Sequence, residues 1–402
     1  MLSFDEARAR LLSAVPRLST ERVPLSEAAG RVLARDVLSA QAIPPFDHSA
    51  MDGYALATAG LAAPGEGPWT LRVEGESRAG RPPPALTART ACRIFTGAPV
   101  PAGADAVVMQ EHAPRERDSI RVAERPKAGQ HIRRKGEDLA EGVLGLASGS
   151  RLSVGELALL AMLDVGEIVV ARRPRVTILC TGGELRAPGT EPRVASIPES
   201  NSVALAALAR QAGALVRVAP IASDELVDTE RAIDSALEGT DVLLTVGGVS
   251  VGDHDVVRPA LARAGVTLDF WKVAIKPGKP LAVGARGGAR VLGLPGNPAS
   301  AVVTFALFGL PLLRALQGDA RPQPMFLPVR LAASRKRSPD RLEFVRTVLR
   351  RGADGLVADV HANQSSGAAT SLAGSDGLAL VAPGPGVLEA GAPVEFVRWV
   401  DM

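Results

Sequence analysis

Aromatic residues are scarce in this chain: nine Phe, three Trp and a single Tyr among 402 residues. That is too few for the base-stacking platforms of a single-strand-binding protein. Charge of one sign is lacking as well, since the formal net charge is only +3 despite a pI of 9.1. So small an excess makes no broad field for DNA or for an anionic bilayer. Two cysteines, Cys92 and Cys180, lie far apart, which excludes a disulfide framework or a Cys-rich zinc site and fits a reducing compartment. The opening MLSFDEARARLL mixes acids and bases where an export signal needs an apolar run. The longest apolar segment, 301–316, is interrupted by Thr304, Pro311 and Arg314 and reads as too short to span a bilayer. These absences predict a cytoplasmic protein with no nucleic-acid or membrane partner.

What is present is ordinary for a folded chain of about two to four domains, 46% hydrophobic and 22% charged, with 41 Gly and 31 Pro. Ser3 and Glu6 form an S-x-x-E capping box, and Phe4, Ala7, Leu11 and Val15 follow at helical spacing. A second short helix is expected over 26–33, and the prolines of IPPFD stop it. From about 46 to 138 short β-like runs (TLRVEG, CRIFTG, AVVMQE, SIRVAE) are divided by Gly and Pro. Residues 153–163 read as a helix, followed by the strand EIVVA. Between 174 and 318 apolar strands alternate with amphipathic helices, which predicts a parallel sheet covered on both faces. After the linker RPQPMFLP, the runs LEFVRTVL, LVADV, LALVAP and VEFVRWV predict a small all-β domain.

Ligands of such sheets bind beyond the carboxyl ends of the strands. Here VTILC runs into TGGEL and DVLLTV into GGVSVGDHD. The glycine loop 247–252 is neither a Walker A sequence nor a Rossmann fingerprint; it is either a phosphate cradle or a tight turn that needs glycine for its backbone. Asp253 and Asp255 beside it suit Mg²⁺ next to a phosphate, although Asp253 would equally serve as a helix cap. Lys272, Lys276 and Lys279 in WKVAIKPGKP suit a doubly charged oxyanion, or a solvated loop. PPFDHSAMDGYA and HIRRKGEDL read most simply as charged turns.

Read in order, PPFDHSAMDGYA, FTGAPVP, IRRKGEDL, TGGEL, ESNSVALAALARQAG, GGVSVGDHDVV, FWKVAIKPGKPLAVG and GLPGNPASAVVTF resemble the molybdopterin molybdenumtransferase (MoeA) family, to which the gephyrin E-domain belongs. The resemblance implies a homodimer of multidomain α/β-plus-β subunits. It divides the chain into an elongated helical and strand domain (1–44 and 140–173), an inserted β-rich domain (45–139), a parallel α/β molybdopterin-binding domain (174–319) and a C-terminal β-barrel-like domain (320–402). It implies insertion of molybdate into adenylylated molybdopterin with release of AMP, using Mg²⁺ or a similar divalent cation. Carried over by motif, Asp52, Asp138 and Asp255 are metal-binding and catalytic, Lys272 and Lys276 catalytic, and Lys276, Lys279, Arg346 and Ser366 hold molybdate. Thr96, Glu184 and Asp224 are substrate-binding positions, Gly247, Gly248 and Ser250 cradle phosphate or pterin, and Pro295 and Pro298 shape the adjoining loop. A molybdopterin adenylyltransferase and recipient molybdoenzymes are the implied partners.

Three positions depart from the family pattern. His48 replaces a usual Asn, Gly183 replaces the first acid of TGDEL and leaves Glu184 alone in that turn, and NQSSGAA admits Ser365 as well as Ser366. The competing readings are a molybdopterin adenylyltransferase, which needs only the α/β domain, and a noncatalytic pterin-binding scaffold.

Overall fold

The computed structural model describes residues 1–61, 67–248, 256–353 and 355–402. They separate into two compact units, one of 1–35, 148–153 and 167–402, the other of 36–147 and 154–166.

In the first unit, helix α1 (Phe4–Leu12) begins at the expected capping box: Glu6 N–H donates to Ser3 Oγ (3.2 Å) and Ser3 N–H to Glu6 Oε2 (2.8 Å). No helix forms over 26–33. A single 3₁₀ turn at Leu25–Glu27 is followed by Gly30 at φ +72°, and Val32 and Leu33 are drawn into β-bridges with Arg151 and Val170. Long-range pairing overrides the local helical spacing.

The centre of this unit is a six-stranded sheet built from β1 (Arg175–Cys180), α2 (Asn201–Gln211), β2 (Leu215–Val218), α3 (Leu226–Leu237), β3 (Val242–Val246), α4 (Val257–Arg263), β4 (Thr267–Lys272), β5 (Pro280–Arg286) and β6 (Ala289–Leu294), in strand order β2-β1-β3-β6-β5-β4. The first four are parallel, but β5 runs antiparallel to both of its neighbours, β6 and β4, so the sheet is mixed with one strand reversed. The Gly287-Gly288 turn between β5 and β6 is too short for a crossover and forces a hairpin. Val176, Ile178, Val242 and Leu244 face one core with Leu205 and Ala209 of α2, and Leu179 and Leu243 face the other with Ile233 of α3 and Leu261 of α4. Burial on both faces is why these strands carry no polar alternation.

Helix α5 (Pro298–Leu316) is the one helix among the described residues long and apolar enough to cross a membrane, yet 89% of its apolar window is buried in the core. Pro311 does not break it, because the turn Phe305–Gly309 widens to π geometry just before it. Beyond it, β7 (Leu327–Leu331), β8 (Leu342–Gly352), β9 (Gly355–Val360), β10 (Gly377–Val381) and β11 (Pro393–Arg398) close in the order β8-β9-β7-β11-β10-β8 as a five-stranded barrel. Phe4 meets Phe308 of α5 at 5.5 Å and Phe344 of the barrel at 5.0 Å, both edge to face, so one core joins α1, the sheet and the barrel.

The second unit holds a six-stranded sheet in the order 106–109, 53–56, 90–94, 69–77, 119–122, 115–116. Tyr54, Leu56 and Ile120 pack in one of its cores, and Ala55, Cys92 and Val107 in the other. Two-stranded ribbons (48–49 with 132–133, 37–38 with 144–146) and the helix Val154–Met162 complete the unit.

Candidate active site

Strand β2 lies on one side of β1 and β3 on the other, so the crossovers from β1 and β3 leave in opposite directions and open a crevice at the carboxyl ends of the strands. A cleft of about 450 Å³ occupies it, and its walls include Thr181, Glu184, Asp224, Gly247, Gly248 and Pro295. Thr181 N–H donates to Val246 O (3.0 Å) and Gly247 N–H to Leu294 O (3.1 Å), so sheet pairing continues into the loops and fixes them. Gly247 stands at φ +97°, where a Cβ would come within 2.8 Å of Thr181 O; Gly248 stands at φ +60°, where one would meet Val257 Cγ2 at 2.5 Å. These two glycines satisfy a backbone requirement and also line the cleft. Ser250 and Asp255, with Asp253 and His254, lie outside the described residues.

Glu184 is not the sole acid at its turn. Asp224 Oδ2 accepts from Gly183 N–H (2.8 Å), which brings a second carboxylate to the TGGEL loop from the segment before α3. A Cβ at Gly183 would stand 3.4 Å from that oxygen, so an acid at position 183 would crowd it with like charge.

The next wall is the turn before α5. Asn297 caps no helix N–H; its Nδ2 donates to Ser366 Oγ (3.0 Å), and Ala299 N–H donates to Ser366 O (2.9 Å). Asn201 Nδ2 holds Gly296 O (2.8 Å), while Glu199 Oε1 accepts from Ser202 N–H (2.9 Å) at the start of α2. Two helices thus begin at the cleft, with the positive ends of their dipoles toward it. Sequence reasoning passed over Asn201 and Asn297; an Asn directly before a helical Pro was the available signal.

Arg346 is not an open anion ligand. It is 1% exposed, and its Nε donates to Ser371 Oγ (3.0 Å) and its Nη2 to Ser365 O (2.9 Å). Burial, with the charge of Arg335, lowers its pKa from the ordinary guanidinium value, but an arginine remains a cation. It pins the segment that carries Ser366. Lys276 Nζ is 2.7 Å from Glu343 Oε1, whose carboxylate also meets Arg335, and the short strand Ile275–Lys276 pairs in parallel with β8. Lys279 is exposed beside it. Lys272 pairs in register with Pro280, a wall of the cleft.

In the second unit Asp52 Oδ1 accepts from both Thr96 N–H and Thr96 Oγ1 at 2.8 Å, and these bonds lower its pKa. Asp47 accepts from Lys135 N–H (2.8 Å) and Arg134 Nη1 (2.6 Å), so the segments read as two separate charged turns form one clasp. Partial burial raises the Asp47 pKa, but these bonds outweigh it and the net shift is downward. His48 Nδ1 lies 3.1 Å from Ser49 O. Asp138 is exposed, and its N–H donates to Ile43 O (3.0 Å). Among the described residues no three His, Cys, Asp or Glu side chains gather closely enough to hold a metal.

Three family descriptions match in succession: "MoeA N-terminal region (domain I and II)" over 2–163, "Probable molybdopterin binding domain" over 177–315 and "MoeA C-terminal region (domain IV)" over 328–399. The chain is 38% identical over 350 residues to the molybdopterin molybdenumtransferase of Haemophilus influenzae, covering 86% of this chain and 85% of that one. It is 39% identical over 406 residues to the enzyme of the same name from Synechococcus elongatus, covering 98% and 99%. The chain belongs to the MoeA family of molybdopterin molybdenumtransferases. The molybdopterin biosynthesis MoeA protein of Pyrococcus horikoshii superposes with a TM-score of 0.86 at 29% identity, over 99% of this chain and all of the other. Members of the MoeA family are transferases of molybdenum cofactor biosynthesis, and the mixed sheet, β-rich unit and barrel described above are the fold of that family.

Proposed function

We propose that this chain joins molybdate to the dithiolene of adenylylated molybdopterin and releases AMP. The observation that carries this reading is the cleft at the switch point of the sheet, walled by Gly247, Gly248 and the turn before α5 and roofed by the Ser366 segment. A substrate that already bears a pyrophosphate must meet a dianion, so N–H donors and cations have to screen the charges. Gly247, Gly248 and Ser250 are assigned to phosphate or pterin, Pro295 and Pro298 to the shape of the loop, and Thr96, Glu184 and Asp224 to substrate contact. Lys272, Lys276, Lys279 and Ser366 supply cationic and hydroxyl contacts to the anions, with Arg346 holding Ser366 in place.

The carboxylates of Glu184 and Asp224 at the cleft are the hard oxygen donors that Mg²⁺ takes, one or two at a time alongside phosphate oxygens, so this donor set fits that ion. Asp52, Asp138 and Asp255 are assigned to cation binding and to the hydrolytic step. When bound, Mg²⁺ screens the pyrophosphate. We also assign the domain limits 1–44 with 140–173, 45–139, 174–319 and 320–402, a cytoplasmic location, and contact with a molybdopterin adenylyltransferase and with molybdoenzymes.

A homodimer is supported by the second unit. Leu38, Leu144, Val154 and Met162 are 60%, 47%, 86% and 55% exposed on the helix 154–162 and the ribbon 37–38/144–146, large apolar side chains that self-association would cover.

The test measures AMP released from adenylylated molybdopterin with Mg²⁺, with and without molybdate, together with activation of an apo-molybdoenzyme by the product. Molybdate-dependent release with activation is expected; tight binding without turnover would leave only the scaffold.

A further inference from the structure

We propose that Trp271 is a positioning residue that holds Lys272 at the edge of the cleft through the face of its indole. This rests on the assignment of Lys272 to the anionic substrate. Trp271, the penultimate residue of β4, is half-buried against the core beneath α4, and two cations lie over its ring: the Arg258 guanidinium carbon at 3.7 Å and Lys272 Nζ at 3.9 Å from the centroid. A ring face attracts cations through its quadrupole, and tryptophan does so most strongly.

The nature of the partner matters more than the strength of the contact. Lys276 and Lys272 stand four residues apart, yet Lys276 is paired with a buried carboxylate, whereas among the described residues Lys272 has no carboxylate within ion-pair distance. A carboxylate orients an ammonium and cancels its charge. An aromatic face orients it and leaves the charge whole. The register of β4 on β5 sets Lys272 opposite Pro280, a wall of the cleft, so the residue that carries this oriented and uncancelled ammonium adjoins the cleft wall. Lysine otherwise carries a large rotamer entropy that a ligand would have to freeze on binding.

The experiment compares Trp271→Leu, Trp271→Phe, Lys272→Met and the Trp271→Leu/Lys272→Met double variant of the full chain. The expected result for Trp271→Leu is a KM for adenylylated molybdopterin raised about five- to tenfold, with kcat within about twofold. Phe, which keeps a ring face, restores most of that loss, and the double variant is no worse than Lys272→Met alone. If Leu and Phe behave alike, or the two single losses multiply, the ring merely fills space and the proposal fails.

A second readout needs no turnover. In a Trp69→Phe/Trp399→Phe background the emission of Trp271 shifts when Lys272 is changed to Met; an unchanged spectrum overturns the contact. Should the wild-type protein bind adenylylated molybdopterin without releasing AMP, its Kd replaces KM and the same comparison stands. Should it not bind at all, the substrate reading falls and the spectrum alone decides the contact.

Discussion

Gly247 both turns the backbone at the end of β3 and lines the cleft. Its positive φ and the 2.8 Å approach to Thr181 O mean that Gly247→Ala strains the backbone whether or not a ligand is ever bound. The expected cost is about 2 kcal/mol of stability, read from the denaturant midpoint, together with weaker ligand binding as the loop moves. Thr96 makes a cleaner prediction. Its two hydrogen bonds depress the Asp52 pKa, so their contribution to stability is present above the unfolded carboxylate pKa and is lost as pH falls through the lower folded value. Thr96→Ala is expected to raise the Asp52 pKa toward its ordinary value, and Thr96→Ser to keep it low, as followed by carboxyl NMR titration. The thiols are predicted to be silent. Burial raises the Cys92 pKa to about 11, and burial with the charge of Glu199 raises that of Cys180 further. Neither should react with a thiol reagent at neutral pH until the chain is unfolded, and prompt labelling of the native protein would contradict the buried placement.

Among elements, the segment between β9 and β10 depends most on one side chain. Arg346 reaches from the barrel interior to Ser365 O and Ser371 Oγ, and Gln364 closes the same loop by bonding the Arg346 backbone from both sides, accepting at 3.0 Å and donating at 2.8 Å. Replacing Arg346 with Ala removes its bonds to Ser365 O and Ser371 Oγ and empties the buried space its side chain fills, at a cost of about 2–3 kcal/mol. Lysine cannot reproduce the fork and is expected to recover little of this. Because the loop carries Ser366 onto the turn before α5, the dependence of AMP release on molybdate concentration should shift in both variants. An unchanged molybdate dependence in Arg346→Ala would sever the loop from the proposed oxyanion pocket. In α5 the π turn Phe305–Gly309 lets the helix run on through Pro311, and Leu310, Leu312 and Leu313 beside it are buried.

At the scale of the whole molecule, the exposed apolar side chains of the second unit predict self-association. Val154→Glu places a charge on its most exposed apolar side chain and is expected to yield monomers by analytical ultracentrifugation, with the far-ultraviolet spectrum intact. A wild-type chain that is already monomeric at micromolar concentration would remove the dimer from the proposal.

The sequence alone determined the periodic and local features: the capping box at Ser3, the strand–helix alternation of 174–318, the β-rich 46–138 segment, the four C-terminal strands, and the loops at strand ends where ligands bind. Each is encoded by neighbours within a few residues, through hydrogen-bond geometry and the burial period. Tertiary structure decided the rest. It paired Val32 and Leu33 into bridges where spacing predicts a helix, reversed strand β5 within the sheet, and brought Asp224 to Gly183 across forty-one residues. It also buried Arg346 in place of leaving it open to an anion, and gave Lys276 a carboxylate but Lys272 an aromatic face. Those outcomes depend on which distant side chain arrives at 3 Å, and spacing along the chain carries no information about that.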